Sequence, residues 1–146
     1  MVNDMVVLEI TVGITVAVYL LVMAVIDFRE KAIPIWPGVV CLILISTSRL
    51  VAGISPVGVG LGIGVGAFLF GVSKASRGGI GEADALVYAV TGAAIGLTRN
   101  LELLLVSLLL AAVVGGGLLI IKKVGLKYQM PFVPFVFASY GVVMLL

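Results

Sequence analysis

The sequence predicts an all-α membrane protein, and three observations support that class. The chain has 146 residues, of which 62% are hydrophobic and 11% are charged, whereas a soluble domain carries about 25% charged residues. The mean hydropathy is +1.35. The apolar runs are continuous rather than alternating, which favours spanning helices over a membrane barrel. We therefore expect a single polytopic membrane domain over residues 1–146.

Six apolar segments are candidates to cross a bilayer, which takes about 20 residues. They are Met5–Ile26, Pro37–Ala52, Val57–Val72, Ala83–Leu97, Leu101–Ile121 and Met130–Leu146. The second, fourth and sixth segments are short, and short spans fit where the membrane thins or where flanking side chains reach the headgroups. About six transmembrane helices would place both termini on the same side of the membrane.

The charges of the connections predict the orientation. Seven basic residues follow the first, third and fifth segments: Arg29, Lys31, Lys74, Arg77, Lys122, Lys123 and Lys127. The second and fourth connections have only Arg49, in the last turn of the second segment, and Arg99. Basic residues concentrate in short cytoplasmic loops, so we expect the odd connections in the cytoplasm and both termini outside. Asp27 and Asp84 would then lie at the same cytoplasmic membrane face.

The third segment contains a glycine repeat. Gly58, Gly62 and Gly66 recur at every fourth residue, and Gly60 and Gly64 do so on a second face. Small residues at this spacing let helix backbones pack closely in lipid. A phosphate-binding loop is a poor interpretation because no Gly-Lys-Ser or Gly-Lys-Thr ending follows. The repeat therefore predicts close helix packing.

Composition excludes several kinds of site. The chain has no His and a single cysteine, Cys41. A His-based catalytic triad, a His-ligated metal and an intrachain disulfide are therefore excluded. We expect no metal, no cofactor and no nucleic-acid partner.

Asp27 and Asp84 are the candidate chemical groups. Carboxylates at the ends of membrane-spanning helices cost folding free energy and are retained where they take part in a function or pair with another group. Two adjacent carboxyl groups cannot easily both ionise, so one keeps a proton while the other can accept one from water. That pattern is typical of an aspartyl protease pair. Each residue alone also fits a structural role, because Asp27 can pair with Arg29 or Lys31 and Asp84 can stabilise a helix N-terminus.

Three stretches, taken in series, resemble the type IV prepilin peptidase family. DFREKAIP resembles its first aspartate motif, GIGEADALVYAVTGAAIG its GxGD-bearing segment, and MPFVPFVFASYG its final helix. Ala83 stands where the family usually has glycine, Leu86 where it often has lysine, and Ile35 where it often has asparagine. The residues that support the resemblance are Ile33, Pro34, Gly79, Gly81, Ala83, Pro131 and Pro134.

The resemblance implies a multi-pass aspartyl endopeptidase of the cytoplasmic membrane, with Asp27 and Asp84 as the catalytic pair facing the cytoplasm. Its partners would be the lipid bilayer and type IV pilin- or archaellin-like precursors, whose basic leader it would cleave. The compact chain is similar to archaeal, cleavage-only members, so N-methylation is not expected. Glu30 and Glu82 flank the pair. They are expected either to attract the basic leader or to be solvated acids near helix ends.

Two alternatives remain open at this point. A presenilin-like or signal-peptide-peptidase-like protease shares the aspartyl pair, but those families carry Tyr-Asp and Pro-Ala-Leu motifs. Here Ile26 precedes Asp27, and no Pro-Ala-Leu occurs. A non-catalytic scaffold or a transporter would place carboxylates deep within spans, whereas these two lie near the ends of predicted spans.

Overall fold

The computed structural model describes residues 2–30, 33–77, 81–121 and 130–146. They form α1 (Val2–Glu30), α2 (Ile35–Val51), α3 (Pro56–Ala75), α4 (Glu82–Ile121) and α5 (Val133–Leu145). The described ranges contain no strand, which confirms the all-α class. Helices α1, α3 and α4 are long and apolar enough to cross a membrane, and α2 and α5 are shorter apolar helices.

Helix α4 consists of two arms that fold back on each other at Gly96. Gly96 has φ 84° and ψ 174°, a backbone conformation that glycine adopts without steric cost. Across this break the Tyr88 hydroxyl is hydrogen-bonded to the Ser107 hydroxyl. In a straight helix these residues would lie about 28 Å apart along the axis. We name residues 82–95 the first arm and residues 97–121 the second arm.

Several predicted boundaries require correction. The sequence predicts that the fourth segment ends at Leu97 and the fifth begins at Leu101. The structure instead reverses at Gly96 and resumes as helix without a connecting loop. The physical reason is that one glycine supplies the reversal, and the buried Asn100 soon after it donates to the Tyr88 carbonyl of the first arm.

The ends of the first and last helices also differ from prediction. Helix α1 continues to Glu30, so Asp27 lies in its last turns rather than at its end. The sixth segment is predicted to begin at Met130, but α5 begins at Val133. Its first helical hydrogen bond runs from the Phe135 N–H to the Phe132 carbonyl, at 3.0 Å. No helical bond from the Pro131 nitrogen is possible because proline lacks an N–H.

Neighbouring elements alternate in direction, which separates two ends of the bundle. The Tyr140 hydroxyl donates to the Gly13 carbonyl at 3.1 Å, so α5 runs antiparallel to α1. Arg49 at the end of α2 pairs with Glu9 near the start of α1. It also donates to the carbonyl of Ala94, just before the reversal. We name the end that holds Glu9, Arg49 and Gly96 the distal end, and the opposite end, with Asp27 and Asp84, the aspartate end.

The tightest packing joins α3 to the first arm. The backbones at Gly62 and Gly92 touch, and a Cβ on either glycine would collide with the carbonyl of the other. Gly66 likewise packs against the backbone of Ala85 and Ala89. The predicted packing role is therefore confirmed for Gly62 and Gly66. A Cβ at Gly60 or Gly64 would meet only open space.

Large apolar side chains cover much of the outside of the bundle. Val22, Leu44, Phe68 and Leu105 are all exposed, and each lies on a different helix. Soluble monomers rarely expose contiguous apolar surface of this extent. The exposed side chains and the long apolar helices together identify a membrane protein.

We predict that Gly62→Ala destabilises the bundle, whereas Gly60→Ala does not. Overpacking a close-packed contact costs about 1–3 kcal/mol, while alanine in open space on the same helix gains helix propensity. Unfolding in dodecyl maltoside titrated with dodecyl sulfate, followed by circular dichroism, should give a lower midpoint for Gly62→Ala alone. Equal midpoints for the two variants would contradict the close contact at Gly62.

Candidate active site

Asp27 is buried in the last turns of α1 and is held by another helix. Its side chain is 7% exposed, and its Oδ2 accepts a hydrogen bond from the Val133 N–H at 2.9 Å. Val133 is the first residue of α5. The free N–H groups and the macrodipole of a helix N-terminus favour a nearby anion. The start of α5 therefore positions the Asp27 carboxyl.

The sequence of α5 explains why Val133 provides this donor. Pro134 has no N–H. The N–H groups of Phe135 and Val136 both donate to the Phe132 carbonyl, at 3.0 and 3.3 Å. Val133 thus supplies the first-turn N–H that points out of the helix toward α1. The predicted motif residue Pro134 now has a physical role, because it leaves a single donor opposite Asp27.

Asp84 comes to the same place from the first turn of α4. Its side chain is half-buried, and its carboxyl group lies close enough to that of Asp27 for the two to interact electrostatically. Gly81 packs beside it, since a Cβ at Gly81 would lie 2.9 Å from Asp84 Oδ2. The half-buried Ala83 occupies the position before Asp84. Carboxyl groups from α1 and α4 therefore lie at the same end of the bundle, within range of each other's charge.

Tyr88 supports the site and was missed by sequence reasoning. It lies one helical turn after Asp84 and is 1% exposed. Its hydroxyl is hydrogen-bonded to Ser107 on the second arm, and its ring lies 6.3 Å from that of Phe132 at 40°. Tyr88 therefore connects the helix of Asp84 to the segment that positions Asp27. The spacing of four residues between Asp84 and Tyr88 is the signal that was available in the sequence.

The other predicted site residues lie around the pair. Ile33 packs against the core, Pro34 precedes the first residue of α2, and Pro131 is half-buried before α5. Gly79 lies outside the described residues, as does Lys31, the suggested partner of Asp27. The described ranges show no cluster of three or more His, Cys, Asp or Glu side chains that could hold a metal ion.

Glu30 and Glu82 are exposed at the edge of the site. The Glu82 carboxylate forms an ion pair with the Lys74 ammonium at 2.6 Å, which joins the start of α4 to the end of α3. Glu30 is the last residue of α1. A basic leader would compete with Lys74 for Glu82. Leader binding by the two glutamates stays a prediction.

Together the fold and the carboxyl pair describe a small helical membrane protein with a two-aspartate site at one end. A sequence model of the type IV leader peptidase family matches residues 14–120, a range that includes both aspartates. The chain belongs to the type IV leader peptidase family and is a protease of that type. No curated protein and no solved structure gives a significant match to the chain.

We predict that Gly81→Ala lowers peptidase activity without unfolding the protein. The added methyl group would crowd the Asp84 carboxyl, and a misplacement costing about 1.4 kcal/mol lowers the rate about tenfold. The matched control is Gly71→Ala on α3, where a Cβ meets only open space. Cleavage kinetics and thermal unfolding should be measured for both variants. Full activity of Gly81→Ala would show that the Asp84 carboxyl tolerates displacement.

Proposed function

We propose that the protein is an aspartyl endopeptidase that removes the basic leader of pilin- or archaellin-like precursors. In this proposal, Asp27 and Asp84 activate the attacking water. The observation that carries it is that Asp27 and Asp84, far apart in sequence, lie within electrostatic range of each other at one end of the bundle, inside the range matched by the leader peptidase family. The family acts on pilin-type precursors, which supports this class of substrate.

The hydrogen bonds of the site suggest how the pair is used. Oδ2 of Asp27 accepts the bond from Val133, so Oδ1 is the oxygen that we assign to the reaction. Asp84 is the more exposed of the two, and substrate would approach from its side.

The proposed reaction is a direct attack by water on the scissile peptide. The ionised carboxylate takes a proton from water as the water oxygen bonds to the carbonyl carbon, while the protonated carboxyl group donates a hydrogen bond to the carbonyl oxygen. The C–N bond then breaks, and the leaving nitrogen receives a proton from the pair. The products are the leader carboxylate and a mature chain with a free amine. No covalent enzyme intermediate forms.

Charge distribution supports a cytoplasmic active site in the cytoplasmic membrane. Arg29, Lys74 and Arg77 lie at the aspartate end and are exposed. At the distal end, Arg49 is buried against Glu9, and Arg99 donates to the Val143 carbonyl at 3.3 Å. Among the described residues, three exposed basic side chains thus lie at the aspartate end and one, Arg99, lies at the distal end. The positive-inside rule assigns the end with more basic residues to the cytoplasm. We also propose that the chain crosses the membrane six times, with the two arms of α4 counted as separate spans.

The location of the aspartates argues against the transporter alternative. A proton or cation pathway places carboxylates deep in the membrane, facing a central cavity. Asp27 lies three residues before the end of α1, and Asp84 lies in the first turn of α4. The family match favours leader cleavage over a presenilin-like activity.

We predict that Asp27→Asn and Asp84→Asn each reduce precursor cleavage by about a hundredfold or more, the usual contribution of acid–base catalysis. Asparagine keeps the size of the side chain and an oxygen that can accept the Val133 N–H, so folding should be preserved. The assay is cleavage of a pilin-type precursor by purified protein in lipid vesicles. The control is Glu102→Gln on the exposed face of the second arm. Retained cleavage by either folded asparagine variant would refute the catalytic pair.

We also predict that removal of the Val133 N–H lowers kcat more than it raises KM. Replacing Val133 by its α-hydroxy acid analogue turns this amide into an ester and deletes the donor that bonds Asp27 Oδ2. Hydrogen bonds to charged groups contribute about 1.5–3 kcal/mol, so a rate loss of about tenfold or more is expected.

The matched control is the same replacement at Val57, the second residue of α3 at the distal end. It also removes an N–H from the first turn of a helix, but far from the aspartates. Equal kcat values for the two esters would show that the Val133 bond does not position Asp27.

A further inference from the structure

A second polar site lies at the distal end, far from the aspartates. It is a cavity of about 740 Å³, within the usual size range of small-molecule pockets, formed by all five helices around the Gly96 reversal. Its charged lining residues are Glu9, Arg49 and Arg99. The peptidase reaction proposed above uses none of these side chains.

The charges in this cavity do not balance. Arg49 is 6% exposed and donates to the Glu9 carboxylate and to the Ala94 carbonyl. Arg99 donates to the Val143 carbonyl, which is uncharged. Glu102, three residues after Arg99, is exposed and does not line the cavity. Among the described residues that line the cavity, two guanidinium groups accompany one carboxylate, and the exposed Arg99 carries the excess positive charge.

The two arginines also retain hydrogen-bonding capacity. A guanidinium group carries five N–H donors in a planar fork that matches a phosphate group. Arg49 uses two of its nitrogens in the bonds described above, and Arg99 uses one. Arg49 is buried and already paired with Glu9, whereas Arg99 lines the cavity and is itself exposed, so its remaining N–H groups are accessible to an anion from outside the bundle. The cavity wall is thus complementary to a phosphate-bearing anion.

The remaining lining residues indicate where that anion comes from. Ile54, Leu61, Leu97 and Met144 provide an apolar wall beside the arginines. The cavity lies where α1 begins and where α2 and α5 end, the level at which headgroups meet the apolar layer. A ligand that carries both a phosphate group and acyl chains fits this combination. We propose that the distal cavity binds the headgroup of an anionic phospholipid.

The test is native mass spectrometry of the purified protein in dodecyl maltoside. It is incubated separately with dioleoyl phosphatidylglycerol and with dioleoyl phosphatidylcholine. We expect retention of the anionic lipid only. Arg99→Gln should weaken retention about tenfold, the effect of losing one charged hydrogen bond. The control Arg77→Gln, an exposed residue at the aspartate end, should leave retention unchanged.

A variant with the opposite expected effect separates binding from misfolding. Glu9→Gln removes the one carboxylate among the described residues that line the cavity, while Arg49 keeps its bond to Ala94. It should strengthen retention of phosphatidylglycerol. A loss of structure cannot produce tighter binding, so opposite shifts for Glu9→Gln and Arg99→Gln would support the site.

Three results would overturn the proposal: equal retention of the two lipids, unchanged retention in Arg99→Gln, or weaker retention in Glu9→Gln. A further arm adds inorganic phosphate. Displacement of the lipid by phosphate would reassign the cavity to a soluble anion and would also refute the lipid assignment. All of these outcomes are independent of peptidase activity.

Discussion

The meeting of three helical segments at Gly62, Gly92 and Asn100 is the contact on which the rest of the bundle depends. Between helices in lipid there is little hydrophobic driving force, so close packing and hydrogen bonds hold them together. The two glycines bring the backbones of α3 and the first arm into contact. The Asn100 amide then donates to the Tyr88 carbonyl at 2.9 Å and the Gly62 carbonyl at 3.4 Å. These two hydrogen bonds attach the second arm to α3 and to the first arm. The first arm, which carries Asp84, is thereby held in place against its neighbours.

Buried charged side chains occur at both ends of the apolar bundle, and each is held by a hydrogen bond or an ion pair. An unpaired charge in an apolar interior is expensive, and the two buried charged side chains of the described residues, Asp27 and Arg49, both have partners. At the aspartate end, the start of α5 supplies the Val133 N–H to Asp27. At the distal end, Arg49 joins Glu9 to the Ala94 carbonyl before the reversal. The proposed chemistry uses the first arrangement. The arrangement at the distal end connects α1 and α2 to the first arm of α4, and it leaves a cavity with excess positive charge.

Sequence patterns were most informative for whole helices and least informative for their ends. Continuous apolar runs predicted every helix, because the requirement to bury backbone polar groups in lipid leaves few alternatives. The predicted start of the fifth segment at Leu101 was wrong. The polar residues Thr98 to Asn100 resemble a loop in the sequence, but in the structure they belong to the second arm. Asn100 is in fact 0% exposed. The role of the Val133 N–H was not predictable from patterns, since a backbone donor has no sequence signature except the prolines beside it.

The sequence by itself determined the class of the protein, its apolar segments, the two aspartates and the family motifs around them. These depend on composition and local order, which need no knowledge of distant contacts. Only the tertiary structure decided that Asp27 meets Val133, that Tyr88 reaches Ser107 and Phe132, and that Arg49 and Arg99 share a cavity. Each of these contacts joins residues that are far apart in the sequence or lie on different helical segments. The physical reason is that short-range hydrogen bonds and charge interactions depend on the relative placement of helices, which a linear pattern does not contain.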